Sequence, residues 1–108
     1  RLLELARVLA GEPRIILLDE PAAGLTIKEA ERLASIIRGI SEKGIAVLLI
    51  ELDMRFLMPL AHRVAVLNFG VKIADGEAKE IMRNPKVIEA YLGESGPEAQ
   101  SGVGRIKC

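Results

Sequence analysis

The chain has no tryptophan, one tyrosine and two phenylalanines among 108 residues. With so few aromatics it offers no platform on which nucleic-acid bases could stack. No charge of one sign prevails: fifteen acidic residues balance fifteen basic ones, so the basic face of a DNA- or RNA-binding protein is missing as well. The single cysteine, Cys108, excludes a disulfide within the chain and fits a reducing compartment. No apolar run approaches the ~18 residues of a membrane span, and no signal-peptide pattern is present. The chain opens on Arg1 rather than Met, inside what reads as a helix. The expectation is a fragment of a longer protein.

What is present is a folding sequence, half of it apolar. Leu2, Leu3, Leu5, Ala6, Val8, Leu9 and Ala10 give a helical face that ends at Gly11, a natural cap. Ile15–Leu18 is too short for a helix and lies between Pro13 and Pro21, so it reads as a buried strand. Thr26 and Glu29 have capping-box spacing. After them Ile27, Ala30, Leu33, Ala34, Ile37 and Ile40 recur at helical period as far as Gly44.

"AVLLI", Ala46–Ile50, is a second continuous apolar strand. Continuous apolarity is what a parallel sheet covered on both faces requires, and strand, helix, strand makes a right-handed βαβ unit. Asp53 can cap a short helix over Met54–Ala61. Val64–Leu67 and Val71–Ala74 flank a tight hairpin turn at Asn68–Gly70, and short helices follow over Ala78–Arg83 and Val87–Leu92. The fold class is α/β, a parallel βαβ core followed by a C-terminal hairpin and short helices. Residues 94–108, rich in Gly, Ser and Pro, are expected to be disordered.

The chemistry lies at the strand ends, where open α/β sheets bind ligands. Asp19 and Glu20 follow the first strand, and Glu51 and Asp53 follow the second. If the strands are neighbours, these carboxylates crowd one edge and need a cation or a hydrogen-bond network to offset their repulsion. An apolar strand followed by Asp-Glu has the form of a Walker B segment, in which the aspartate holds Mg²⁺, usually through water, and the next acid polarises the attacking water. Taken alone, the same residues are equally compatible with a turn cap and a solvated acid.

"LLELARVLAGEPRIILLDEPAAGL" resembles the segment of ABC-transporter ATPase subunits that follows their signature sequence. The resemblance covers about Arg1 to Gly93. "LDEPAAGL", "VLLIELDM", "VAVLNFGVKIADG" and "VIEAYLGE" look most like the ATPases of branched-chain amino acid importers. It implies a partial P-loop NTPase (ABC ATPase) fold over 1–93. Asp19 would be the Mg²⁺-associated aspartate and Glu20 the general base. Ala22, Ala23, Gly24 and Leu25 would form the D-loop, which crosses the dimer interface in that family. The cofactors implied are ATP and Mg²⁺. The partners implied are transmembrane permease subunits, a second ATPase subunit in a homo- or heterodimer and, indirectly, an external solute-binding protein; no nucleic acid is implied. The implied location is peripheral, on the cytoplasmic face of the plasma (inner) membrane.

Two departures qualify the resemblance. No GxxxxGK[ST] loop is present to cradle phosphates, so the parent protein would be the ATPase and this fragment alone is expected to be inactive. Where the family has a histidine after the second strand, this chain has Leu52, which can neither donate nor accept a hydrogen bond. The one histidine, His62, is expected at the end of a helix leading away from the strand, where a partly charged imidazole suits the dipole. Leu52 keeps a second reading open, that of a non-catalytic or degenerate ABC-type interaction module.

Overall fold

The computed structural model describes residues 2–92 and 106–107. Its first helix, α1 (Leu2–Ala10), buries Leu5 alone. The left-handed residue that ends it is Glu12 (φ 52°) rather than Gly11. The Gly11 and Glu12 N–H groups donate back to Val8 O and Leu9 O at 3.2 and 3.0 Å, so the expected glycine cap is displaced by one position.

Two parallel strands follow, β1 (Ile15–Asp19) and β2 (Ala46–Glu51), in register from Ile15 opposite Ala46 to Asp19 opposite Ile50. The crossover between them is α2 (Ile27–Glu42). The Thr26 hydroxyl accepts from Glu29 N at 3.2 Å, and Glu29 Oε2 accepts from Thr26 N at 3.3 Å, which completes the capping box. Gly44, at φ 89°, ends the helix in a conformation that a side chain resists. Leu33, Ile37 and Ile40 carry α2 into the core. Ile27, expected on that stripe, is 77% exposed in the first turn.

The helix α3 (Met54–Leu57) is shorter than the expected Met54–Ala61. Pro59 has no N–H to continue the ladder, and the Leu60 and Ala61 amides both turn back to Leu57 O. Strands β3 (Arg63–Asn68) and β4 (Val71–Glu77) form the expected hairpin. Its loop residues, Phe69 and Gly70, are both left-handed (φ 49° and 76°), as a two-residue type I′ turn requires. A register shift between Val66 and Leu67 marks a bulge. Then come α4 (Ala78–Arg83), a short turn α5 (Pro85–Val87) and a π-helical turn over Ile88–Leu92. This last helical region begins before the expected Val87, because Asn84 Oδ1 accepts from Lys86 N at 2.9 Å and starts it at Pro85.

The sheet order is β1-β2-β5-β3-β4, where β5 is Ile106–Lys107. This two-residue strand pairs antiparallel with Ile50–Glu51 on one side and with Ala65–Val66 on the other. It therefore separates β2 from β3, which point the same way. Residues 94–105 and 108, the rest of the segment expected to lack structure, fall outside the described residues, as does Gly93 before them. A 490 Å³ cavity opens between α2, the start of β2 and the approach to β3, lined by Arg38, Ser41, Ala46, Val47, His62 and Arg63 among others.

Continuous apolar strands predict cover on both faces of the parallel pair. Among the described residues, only one face has it. Ile16 and Leu49 are buried against α2, at 2% and 1% exposure. On the opposite face Ile15, Leu17 and Leu48 are open, Leu17 at 69%. Ile15, Leu17, Ala46 and Leu48 thus meet solvent although their chemistry is that of a core.

Candidate functional site

The parallel register brings the two acidic strand ends together. Asp19, the last residue of β1, stands opposite Ile50 and is exposed. By strand alternation it shares the open face with Ile15 and Leu17. Glu20 is half-buried, and its backbone is left-handed at φ 48°. Its N–H donates to Ile50 O at 2.7 Å, which ties the end of β1 to the end of β2. A non-glycine residue held at positive φ costs on the order of 1–2 kcal/mol. The chain bears that cost at Glu20, for which the resemblance implies a general base.

The next residues form two successive turns. Pro21 is buried, Ala23 N–H donates to Glu20 O, and Leu25 N–H donates to Ala22 O, both at 3.2 Å. Pro21 sits second in the first turn, where its fixed φ suits the geometry, and Gly24 sits third in the second turn at φ 76°. The segment Ala22, Ala23, Gly24, Leu25 thus runs from the strand end straight into the capped start of α2.

The four acids do not form a carboxylate cluster. Asp53 caps α3 through one oxygen, Oδ1, which accepts from Arg55 N at 3.0 Å and from Phe56 N at 3.3 Å. Glu51 turns inward. It is 3% exposed, and its oxygens accept from Ala22 N (3.2 Å), Leu52 N (3.0 Å) and Asp53 N (3.4 Å). By register it lies in phase with Val47 and Leu49 on the α2 face, across the sheet from Asp19. Among the described residues, no three His, Cys, Asp or Glu side chains are grouped to hold a metal ion.

Leu52 is 47% exposed at the end of β2, beside this edge. His62 is elsewhere. It is exposed, precedes β3 and lines the cavity near the start of β2, so it sits at the opposite end of the strands from Asp19 and Glu20. It is also removed from the end of α3, so the expected helix-dipole role does not apply to it. The inward role of Glu51 was not anticipated. The signal for it was available: an acid in phase with two apolar strand residues must find donors inside.

The chain resembles known proteins across the region just described. It is 48% identical over 96 residues to BraF of Pseudomonas aeruginosa, a high-affinity branched-chain amino acid transport ATP-binding protein. The LivG proteins of Salmonella typhimurium and Escherichia coli, which carry the same description, are 45% and 44% identical over the same length. Over most of its length this chain is thus similar to proteins described as branched-chain amino acid transport ATP-binding proteins. The family described as branched-chain amino acid ATP-binding cassette transporter matches residues 71–96, from the start of β4 onward. Each alignment takes in 88% of the chain but 38% of the relative, so the chain spans well under half the length of those proteins. No helix among its described residues is long and apolar enough to cross a membrane.

Proposed function

We propose that the chain is the C-terminal part of the ATP-hydrolysing subunit of an ABC importer, with branched-chain amino acids as the transported class. It would contribute the Walker B strand end and the D-loop. The observation that carries this reading is the edge itself: Asp19 ends a strand fixed in parallel register, and Glu20 is locked at positive φ by its bond to Ile50 O. The apolar sheet face left open at Ile15, Leu17 and Leu48 supports a longer parent in which further chain packs there.

In that parent Glu20 would take a proton from the attacking water as the water oxygen bonds to the γ-phosphorus. The bond from that phosphorus to the β–γ bridging oxygen breaks, and ADP leaves with the electron pair. The strand mount keeps Glu20 in position without reorganisation. Bound Mg²⁺ would supply charge neutralisation at the phosphates. The oxygen of Asp19 is the right kind of donor for so hard a cation, and the remaining ligands would come from phosphate, water and residues beyond this segment. The Ala22–Leu25 loop would face a second ATPase subunit, homo- or heterodimeric. Permease subunits would be the membrane partners, with an external solute-binding protein acting through them, and the assembly would lie at the cytoplasmic face of the inner membrane.

Leu52 favours a second reading, a non-catalytic or degenerate ABC-type interaction module that keeps the fold and hydrolyses little or nothing. Its exposed aliphatic side chain cannot orient water or contact phosphate by hydrogen bonding. ATP binding and turnover by the full-length protein test both readings, with Leu52→His alongside. The ATPase reading expects ATP binding by both forms and a rate about tenfold or more higher in Leu52→His. Equal rates would show that position 52 does not limit hydrolysis, and absence of ATP binding by both forms would overturn the ATPase reading in favour of the interaction module.

A further inference from the structure

Glu51 is the buried charged residue of the described core, and the proposed chemistry leaves it without a task. It does not share a face with Asp19, so it is not a partner in a metal set. Its two oxygens instead point in two structural directions. Oε2 accepts from Ala22 N, twenty-nine residues away in sequence, in the loop after β1. Oε1 accepts from Leu52 N and Asp53 N, where β2 turns into α3. Each of these N–H groups lies just beyond a strand, where the ladder no longer supplies an acceptor.

We propose that Glu51 is a positioning residue, a clip that fixes the Ala22–Leu25 loop to the Leu52 turn so that the two strand ends move as one unit. The proposal rests on the ATPase reading for its consequence and on the three hydrogen bonds for its existence. The Glu20 N–H bond to Ile50 O already joins the strands at one point. Glu51 adds a second point past it, on the loop side, and the two ties together hold Glu20 between them. A change in the loop, such as a partner pressing on it, would then be transmitted to position 52 through one side chain.

The chemistry sets a specific test. A carboxylate has two acceptor oxygens, whereas the amide of Glu51→Gln has one, plus an NH₂ group that cannot accept. Gln can keep the two bonds at Leu52 and Asp53, but its NH₂ then faces the Ala22 N–H. The loop arm breaks while volume and most of the packing are preserved. Glu51→Asp, shorter by one methylene, cannot span both arms.

The experiment uses full-length protein and two readouts, steady-state ATPase kinetics and hydrogen exchange at the Ala22 amide with Leu49 as a core reference. For Glu51→Gln the expectation is a kcat lower by about tenfold or more, as for a small misplacement of a catalytic group, with KM for ATP within about twofold. Ala22 exchange should accelerate about tenfold or more while Leu49 stays protected. Slowed exchange or no change at Ala22 overturns the clip. Equal loss of protection at Leu49 overturns it too, since the residue would then be supporting the core at large. If the wild-type protein lacks ATPase activity, the ATPase reading falls while the exchange result still decides whether the clip exists.

Discussion

The parallel pair β1–β2 and the antiparallel hairpin β3–β4 share one sheet, yet they solve the burial problem in opposite ways. The hairpin is closed locally. A two-residue loop joins its strands, Val64 and Val66 are fully buried, and Tyr91 OH donates to Leu67 O at 2.6 Å. On its surface Asp75 accepts from Arg63 Nε at 2.9 Å and from Lys72 Nζ at 3.2 Å. Hydrogen bonds from these two cations hold the Asp75 carboxyl below its ordinary range. The parallel pair is closed by a long crossover helix, is covered on one face, and exposes Ile15, Leu17 and Leu48 on the other. Its ends carry the acids. The hairpin closes its strands through its own turn, whereas the pair that ends in the acids leaves an apolar sheet face open.

That contrast can be broken most sharply in the core. Leu49→Ala, at a site 1% exposed, is expected to cost about 3 kcal/mol in the full-length protein. Leu17→Ala is 69% exposed in this chain, where its expected cost is within about 0.5 kcal/mol. If further chain covers the open face in the full-length protein, as proposed, the cost should rise there to about 2 kcal/mol or more. Urea melts of the full-length variants check both. A Leu17→Ala cost that stays near zero would make the face ordinary surface and remove the asymmetry.

The hairpin side predicts a smaller effect. Tyr91→Phe should cost about 1 kcal/mol through loss of the bond to Leu67 O. Burial pushes the Tyr91 hydroxyl up to about 12. The neutral phenol is therefore favoured in the fold. The associated stability is fully present below the unfolded value of about 10 and is lost as pH rises through the folded value. Tyr91 is the one tyrosine of this chain, so tyrosinate absorbance reads it alone. The midpoint should lie near 12 when folded and return to about 10 in denaturant. Smallest of all, Val71→Ala, 62% exposed beside the hairpin turn, should stay within about 0.5 kcal/mol in the chain and the full-length protein alike.

Local rules made much of this legible in advance. The reciprocal Thr26–Glu29 cap, the two apolar strands, the crossover helix and the turn at Phe69–Gly70 all follow from short-range chemistry. What was not legible depends on distant partners. β5 needs two strands to be separated before it has a place. The shortness of α3 depends on one missing N–H at Pro59, and the displaced cap at Glu12 on which of two adjacent residues absorbs the positive φ. At the site, the grouping of Asp19, Glu20 and Leu52 on one edge followed from reading the strands as neighbours. The inward turn of Glu51 did not, because spacing alone treats every acid beyond a strand as facing the same ligand. Strand parity distinguishes them: Asp19 is in phase with the open residues and Glu51 with the buried ones.

On the proposed reading, the parallel strand ends form a hydrolytic edge with Glu20 as its base. The most direct measurement is ATP turnover by the full-length protein set against Glu20→Gln, with ATP binding measured on both. Turnover is expected to be about 100-fold or more lower in Glu20→Gln, with binding retained. Equal turnover in the two proteins would contradict that reading.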